Sequence, residues 1–196
     1  MTMPLFDTAP LQPPAALSPC GTYRYTLPRG PWDASLPVLG WHLLNPSRAT
    51  TEIDDATSIR IVNFSKDLGF GAALITNPFA YRATDPKDLA AAAAAGVDVI
   101  GPDNDHQIRE ATSCAVTVLG WGSHGARYPG RISQVVQLLV QGCRQQGTAL
   151  AVLGWTNSGH PRHPLYMPKN STLSIYRPGG RSVPDALWQN LIGDHV

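Results

Sequence analysis

The chain is poor in charge, poor in cysteine and without a long apolar run, and each shortage excludes something. Lys, Arg, Asp and Glu make up 15% of its 196 residues and leave a formal net charge of +1. A protein that coats nucleic acid needs a strong basic excess, because its affinity comes from neutralising phosphates. A balance this close to zero leaves room for a small local phosphate site only. The three cysteines, Cys20, Cys114 and Cys143, form no Cys-x-x-Cys pair and no zinc spacing, and cannot supply a four-cysteine cluster. They read as buried, unpaired thiols of a reducing compartment. No stretch approaches the ~18 consecutive apolar residues of a membrane span. Residues 1–19 are rich in Pro and Ala and lack the basic-then-apolar order of a secretory signal. A cytoplasmic protein with no membrane partner is expected. Three catalytic signatures are also missing: the Gly-Lys-Ser/Thr phosphate loop, the Gly-x-Gly-x-x-Gly dinucleotide turn and the Gly-x-Ser-x-Gly nucleophile elbow. No tight ligand spacing calls for a metal, and no cofactor is implied.

What the chain does have is a repeated way of ending an apolar run. Val38-Leu39-Gly40-Trp41-His42-Leu43-Leu44 stops at Asn45-Pro46-Ser47, and Ala72-Ala73-Leu74-Ile75-Thr76 stops at Asn77-Pro78. Leu119 and Leu153 run into Gly120-Trp121-Gly122 and Gly154-Trp155-Thr156. Short apolar runs broken by Pro or Gly read as strands buried on both faces. Residues 37–44, 72–76, 115–120 and 149–153 are therefore predicted to be parallel strands. Helical spacing lies between them. Asp55 is placed to cap a helix from Ala56 whose apolar residues are Ile59, Val62, Phe64 and Leu68. Further helices are predicted at 88–95, 104–113 and 132–147, with a terminal one at 184–192. Residues 23–27 alternate aromatic with polar, as an edge strand does, and residues 172–176 suit a last short extended piece.

Strands alternating with helices give an α/β fold. The expectation is a three-layer α/β/α arrangement with a central four-stranded parallel sheet. Residues 1–19 form a flexible arm and residues 20–196 a single domain, with a monomer as the expected state. Ligands of such sheets bind beyond the carboxyl ends of the strands, so the four run-ends are predicted to share one crevice.

The candidate residues follow from that placement. Asn45 either orients water with its amide oxygen or caps its own turn. Asn77 offers a donor and an acceptor, which suits the edge of a nucleobase, and Phe79 and Tyr81 behind it can stack on a base or pack in the core. His160 and His163 lie in a Pro-braced loop, where imidazoles can do acid–base work or stabilise charge near neutral pH. Asp54 and Asp55 either contribute acid–base chemistry or cap the helix.

Two resemblances follow. Between residues 23 and 166 the chain resembles a bacterial and phage family catalogued as domain of unknown function 1643. The matching residues are Leu44-Asn45-Pro46-Ser47, Asp54-Asp55 with Thr57 and Arg60, the run Asn77-Pro78-Phe79-Ala80-Tyr81-Arg82-Ala83-Thr84-Asp85-Pro86, Gly101-Pro102-Asp103-Asn104-Asp105, Gly120-Trp121-Gly122 and Pro161-Arg162-His163-Pro164-Leu165-Tyr166. That name implies no activity. More distantly, the order of motifs is similar to the uracil-DNA glycosylase superfamily. Leu43-Leu44-Asn45-Pro46 stands at the water-positioning motif, with leucines where that motif carries a small Gly. Asn77 stands at the base-reading Asn, Gly120-Trp121-Gly122 at the third strand end, and His160 through Leu165 at the His-Pro loop.

The second resemblance implies a DNA glycosylase that flips a modified or damaged base out of DNA and cleaves its N-glycosidic bond. Asn45 would orient water and His163, or His160, would stabilise the departing base; Pro164-Leu165 directly after His163 favours His163. Asn77 would read the base with Phe79 or Tyr81 stacked on it, Ser47, Ser158 and Arg162 would touch phosphates, and Leu165 or Tyr166 would fill the vacated stack. A nucleoside or nucleotide hydrolase and a non-catalytic nucleobase-binding module are the alternatives.

Overall fold

The computed structural model of the chain describes residues 16–46, 54–83, 86–181 and 184–193. Six strands, β1 (Leu27–Arg29), β2 (Val38–His42), β3 (Ala72–Thr76), β4 (Val116–Leu119), β5 (Ala149–Val152) and β6 (Ser174–Tyr176), form one sheet in the order β1-β3-β2-β4-β5-β6. Five helices are described: α1 (Ala56–Asp67), α2 (Pro86–Ala94), α3 (Asn104–Ala111), α4 (Pro129–Gln146) and α5 (Ala186–Ile192). The four parallel strands predicted are the central ones. The sheet is larger than predicted, because β1 adds to β3 and β6 adds to β5, both antiparallel.

The predicted edge strand at 23–27 shifts by several residues. The regular pairing is Leu27–Arg29, and Tyr23 and Arg24 make only single bridges, to Tyr81 and Leu17. Pro28 is tolerated because an edge strand need not donate on its outer side. Of residues 1–19, only 16–19 are among the described residues. Residues 1–15 lie outside the described set, but Leu17 bridges Arg24 and the Ala16 amide donates to Thr26 Oγ1 at 3.0 Å.

Alternation along the strands divides the core. Leu39, Trp41, Ala73, Ile75, Val118 and Ala151 face α1, whose Ile61 and Phe64 complete that cluster. Leu119, Leu150 and Val152 pack on the other face, with Leu89 of α2, Ile108 of α3, Val136 and Leu139 of α4, and Trp188 of α5. The stripe predicted for α1 is displaced. Ile59 is 52% exposed, and the buried face is Ser58, Ile61, Phe64 and Ser65. Ser65 belongs inside because buried Trp41 needs an acceptor for its indole N–H, and Ser65 Oγ supplies it at 3.0 Å.

The cysteines divide as well. Cys114 and Cys143 are buried, and burial pushes their thiols up to about 12 and about 11. Cys20 is exposed, contrary to the prediction. Hydrogen bonds with Ser18 and Thr22 bring its thiol down to about 7.

The strand order decides where a ligand goes. β2 is the first parallel strand in the chain, yet β3 lies on one side of it and β4 on the other. The connection from β2 runs one way, to β3, and the connection from its neighbour β4 runs the other way, to β5, which opens a crevice at their carboxyl ends.

Candidate functional site

A cavity of about 800 Å³ occupies that crevice. Leu43, Leu44, Ile75 and Trp121 give it apolar walls, while Asn45, Asn77 and His163 enter it from three different segments.

Asn45 lies three residues beyond β2. Its Nδ2 donates to Ala83 O at 2.9 Å and to Pro46 O at 3.2 Å, so both amide protons point into the protein. The acceptor oxygen is left as the group this side chain offers to the cavity.

Asn77 follows β3 directly and is 2% exposed. Its side-chain amide makes no hydrogen bond among the described residues, so it offers donor and acceptor together to an occupant of the cavity. Its backbone is held tightly. Asn104 Nδ2, from the first turn of α3, donates to Asn77 O at 3.0 Å and Pro78 O at 2.9 Å, and Arg131 Nε of α4 donates to Pro78 O at 2.8 Å. Arg131 in turn pairs with Asp105 at 2.6 Å. The Gly101-Pro102-Asp103-Asn104-Asp105 run thus acts as a clamp on the Asn77-Pro78 turn.

His163 reaches the cavity from the loop after β5, where it caps a 3₁₀ turn at Pro164–Tyr166. Its Nδ1 accepts from the Leu165 amide at 3.3 Å, so the neutral ring carries its proton on Nε2. Burial pushes this imidazole down to about 4; the charge of Asp55 works against that shift and His124 adds to it. His163 is therefore a neutral donor at physiological pH. His160 is placed differently. Its Nδ1 accepts from Trp121 Nε1 at 3.4 Å, and it does not line the cavity.

The Gly-Trp-Gly run docks this loop. A Cβ on Gly120 would stand 3.0 Å from Pro164 Cδ and 3.2 Å from Leu43 Cδ2, so the absence of a side chain is what lets the loop lie against the end of β4. Gly122 adopts φ +68° and donates its amide to Pro161 O at 2.9 Å.

The remaining candidates divide. Ser158, Arg162, Leu165 and Tyr166 line the cavity, with Tyr166 78% exposed. Asp55 lines it too, while its carboxylate accepts from the Ser58 amide at 2.7 Å and caps α1. Asp54 does not; it pairs with Arg29 at 2.5 Å. Ser47 lies outside the described residues. The stacking role predicted for Phe79 and Tyr81 is not met by their positions. Phe79 is buried edge-on against Tyr128 at 4.7 Å, and Tyr81 packs edge-on against Tyr23 at 6.5 Å, both away from the cavity lining. The chain turns inward after Pro78 because Ala80 and Tyr81 donate their amides to Ile100 O and Val99 O, which draws both rings into the packing.

Arg24 was missed. It is 4% exposed and lines the cavity beside Leu27 and Ile75. Burial lowers its guanidinium to about 10, Arg82 lowers it further and Asp55 opposes the shift, so it stays protonated at neutral pH. A polar residue in an aromatic–polar alternation reads as solvent-facing, so the sequence carried no signal for it. Among the described residues, no three His, Cys, Asp or Glu side chains are grouped to hold a metal, and no helix is long and apolar enough to cross a membrane.

A family described as protein of unknown function (DUF1643) matches residues 24–165. The chain belongs to that family. No curated protein and no solved structure matches it. The DUF1643 match contains the whole polar constellation, from Arg24 through Asn45, Asp55 and Asn77 to His163. Tyr166, β6 and α5 lie beyond it.

Proposed function

We propose that the chain is a DNA glycosylase with a uracil-DNA glycosylase-like fold, which hydrolyses the N-glycosidic bond of a flipped, modified or damaged base and leaves an abasic site. One observation carries this reading: Asn45, Asn77 and His163 meet in one cavity at the carboxyl end of β2, each with a different hydrogen-bonding group turned to it.

Base release needs little covalent help from protein. As the C1′–N bond stretches, positive charge grows on the sugar and negative charge on the base, so fixed dipoles are the main source of catalysis. Asn77 is suited to read the base edge. His163, neutral and with its proton on Nε2, is suited to hold the negative charge as the base departs. Asn45, its amide protons tied to Ala83 O and Pro46 O, is suited to orient water by its oxygen. The apolar wall of Leu43, Leu44 and Trp121 takes the part predicted for Phe79 and Tyr81. DNA is the partner in this reading. Arg162 and Ser158 stand at the mouth where phosphates would pass, and exposed Tyr166 with Leu165 is available to fill the gap left by a flipped nucleotide. No cofactor enters the reaction.

The test is incubation with modified and plain DNA, single- and double-stranded, followed by alkali cleavage at abasic sites. Scission at one modified base is expected. Asn45→Ala and His163→Ala should each lower the rate by about 100-fold or more while binding is kept. If both variants cleave like the parent, this mechanism is wrong. A second reading, hydrolysis of free nucleosides or nucleotides, is favoured by the net charge of +1. It predicts base release from the free compounds and none from DNA. Binding without turnover on either substrate marks a nucleobase-binding module.

A further inference from the structure

Asn45 leaves the proposed reaction incomplete. An amide oxygen orients water but does not take its proton, and it carries no charge to set against a cationic sugar. Asp55 supplies both. It is the only carboxylate among the described residues that line the cavity, and its charge acts on His163 and on Arg24, which line it as well. The bond from the Ser58 amide, 2.7 Å long, fixes the direction of the carboxylate at the start of α1. A fixed anion also disfavours the approach of a phosphate backbone. In a cavity that admits DNA it costs ground-state affinity, and it is useful only if it gains more in the transition state.

We infer that Asp55 is a catalytic residue of this site, stabilising the sugar cation and accepting the proton of the water held by Asn45. This rests on the reading of the site as one that cleaves N-glycosidic bonds. The C1′–N bond breaks and both its electrons leave with the base, whose negative charge is held by hydrogen bonds from His163 Nε2–H and Asn77. The water oxygen bonds to C1′. One water proton passes to the Asp55 carboxylate, which returns it to solvent, and the base anion takes a proton from solvent. Water is consumed, and an abasic sugar and a free base result.

The competing role is that of a helix cap only. Asn and Ser cap as well as Asp but carry no charge, so Asp55→Asn and Asp55→Ser separate the two. The experiment measures kcat, KM and Tm of the parent and both variants, by alkali-revealed abasic sites on the modified-DNA panel and by base release from free nucleosides. With Tm unchanged, kcat should fall about 100-fold or more. KM for DNA should stay level or fall, because a charge that repels phosphate has gone. A kcat close to the parent's overturns the assignment, as does a rise in KM alone, which marks a binding residue. A loss of kcat that tracks a fall in Tm in both variants assigns Asp55 to the cap and also overturns it. If the parent releases no base from DNA or nucleoside, the glycosidic reading and the role of Asp55 fall together. If the parent is active and the variants match it, the role of Asp55 alone falls.

Discussion

Two histidines lie close to the strand ends, His42 buried and His163 half-buried, and both are held neutral by their surroundings. His42 is fully buried on β2, with Nδ1 2.8 Å from Thr76 Oγ1 and its ring edge-on to Trp121; burial, helped by the charge of Arg131, lowers it to about 3. His163 is lowered to about 4. Both values lie below the 6.5 of an unfolded histidine, so at pH 5 the unfolded chain holds protons that the folded chain does not. Stability is then fully present above about 6.5 and declines as pH falls through the range down to about 4 for His163 and about 3 for His42. Unfolding at pH 5 should take up close to two protons from this pair, measurable by calorimetry in buffers of different ionisation enthalpy. His42→Gln and His163→Gln should each lower that uptake by about one proton. The same proton sets activity. In the proposed reaction neutral His163 donates from Nε2, and protonation at Nδ1 would break the bond from the Leu165 amide, so the rate should hold from pH 7 to 5 and drop only as pH approaches about 4.

At the scale of elements, the site depends on two joints. One is Gly120 against Pro164, between the end of β4 and the histidine loop. Gly120→Ala places a methyl 3.0 Å from Pro164 Cδ and should displace the loop that carries His163. The loop must give by a few tenths of an ångström, so in the proposed reaction activity should fall severalfold while Tm falls only a few degrees. Gly122→Ala adds backbone strain of about 1–3 kcal/mol, because φ +68° with ψ −169° is open to glycine alone. The other joint is Asn104 against the Asn77-Pro78 turn. Asn104→Ala leaves two buried carbonyls without this donor and should cost about 1–3 kcal/mol in denaturant unfolding. Pro78 O keeps the bond from Arg131. The Asn77 carbonyl therefore suffers most, and if Asn77 reads a base as proposed, discrimination between bases should weaken along with stability.

For the whole molecule, charge limits how DNA would be held under the proposed function. With a net charge of +1, binding cannot rest on a broad basic face. A contact with two or three phosphates gives a slope of log K against log salt of about −2 to −3. Arg162 lines the cavity with its Nε bonded to Trp155 O at 2.8 Å, and Arg162→Ala should make that slope shallower by about one unit. A steep slope that Arg162→Ala leaves untouched would place the DNA on another surface.

Much of this architecture was legible in one dimension. A run such as Ala72–Thr76 is buried on both faces, and a residue buried on both faces must be apolar whatever its neighbours, so all four parallel strands could be read from local pattern. Asp55 was legible as a cap because capping is a contact three residues long. Strand-end placement likewise put Asn45, Asn77 and His163 near one another. The antiparallel edges were harder. β1 and β6 are three residues each, too short to show a period, and their pairing is set by the strands they join.

The sequence by itself determined the order of strands and helices, and with it the ends at which polar residues would gather, because burial and turn chemistry are local. Only the tertiary structure decided which of those residues share the cavity. The two histidines are three positions apart in one loop, yet His163 faces the cavity and His160 turns to Trp121, because Pro164 packs against a bare Gly120. Arg24 enters the cavity, and Phe79 leaves it for Tyr128. Each outcome depends on a partner far away in the chain, and neither spacing nor composition specifies such partners.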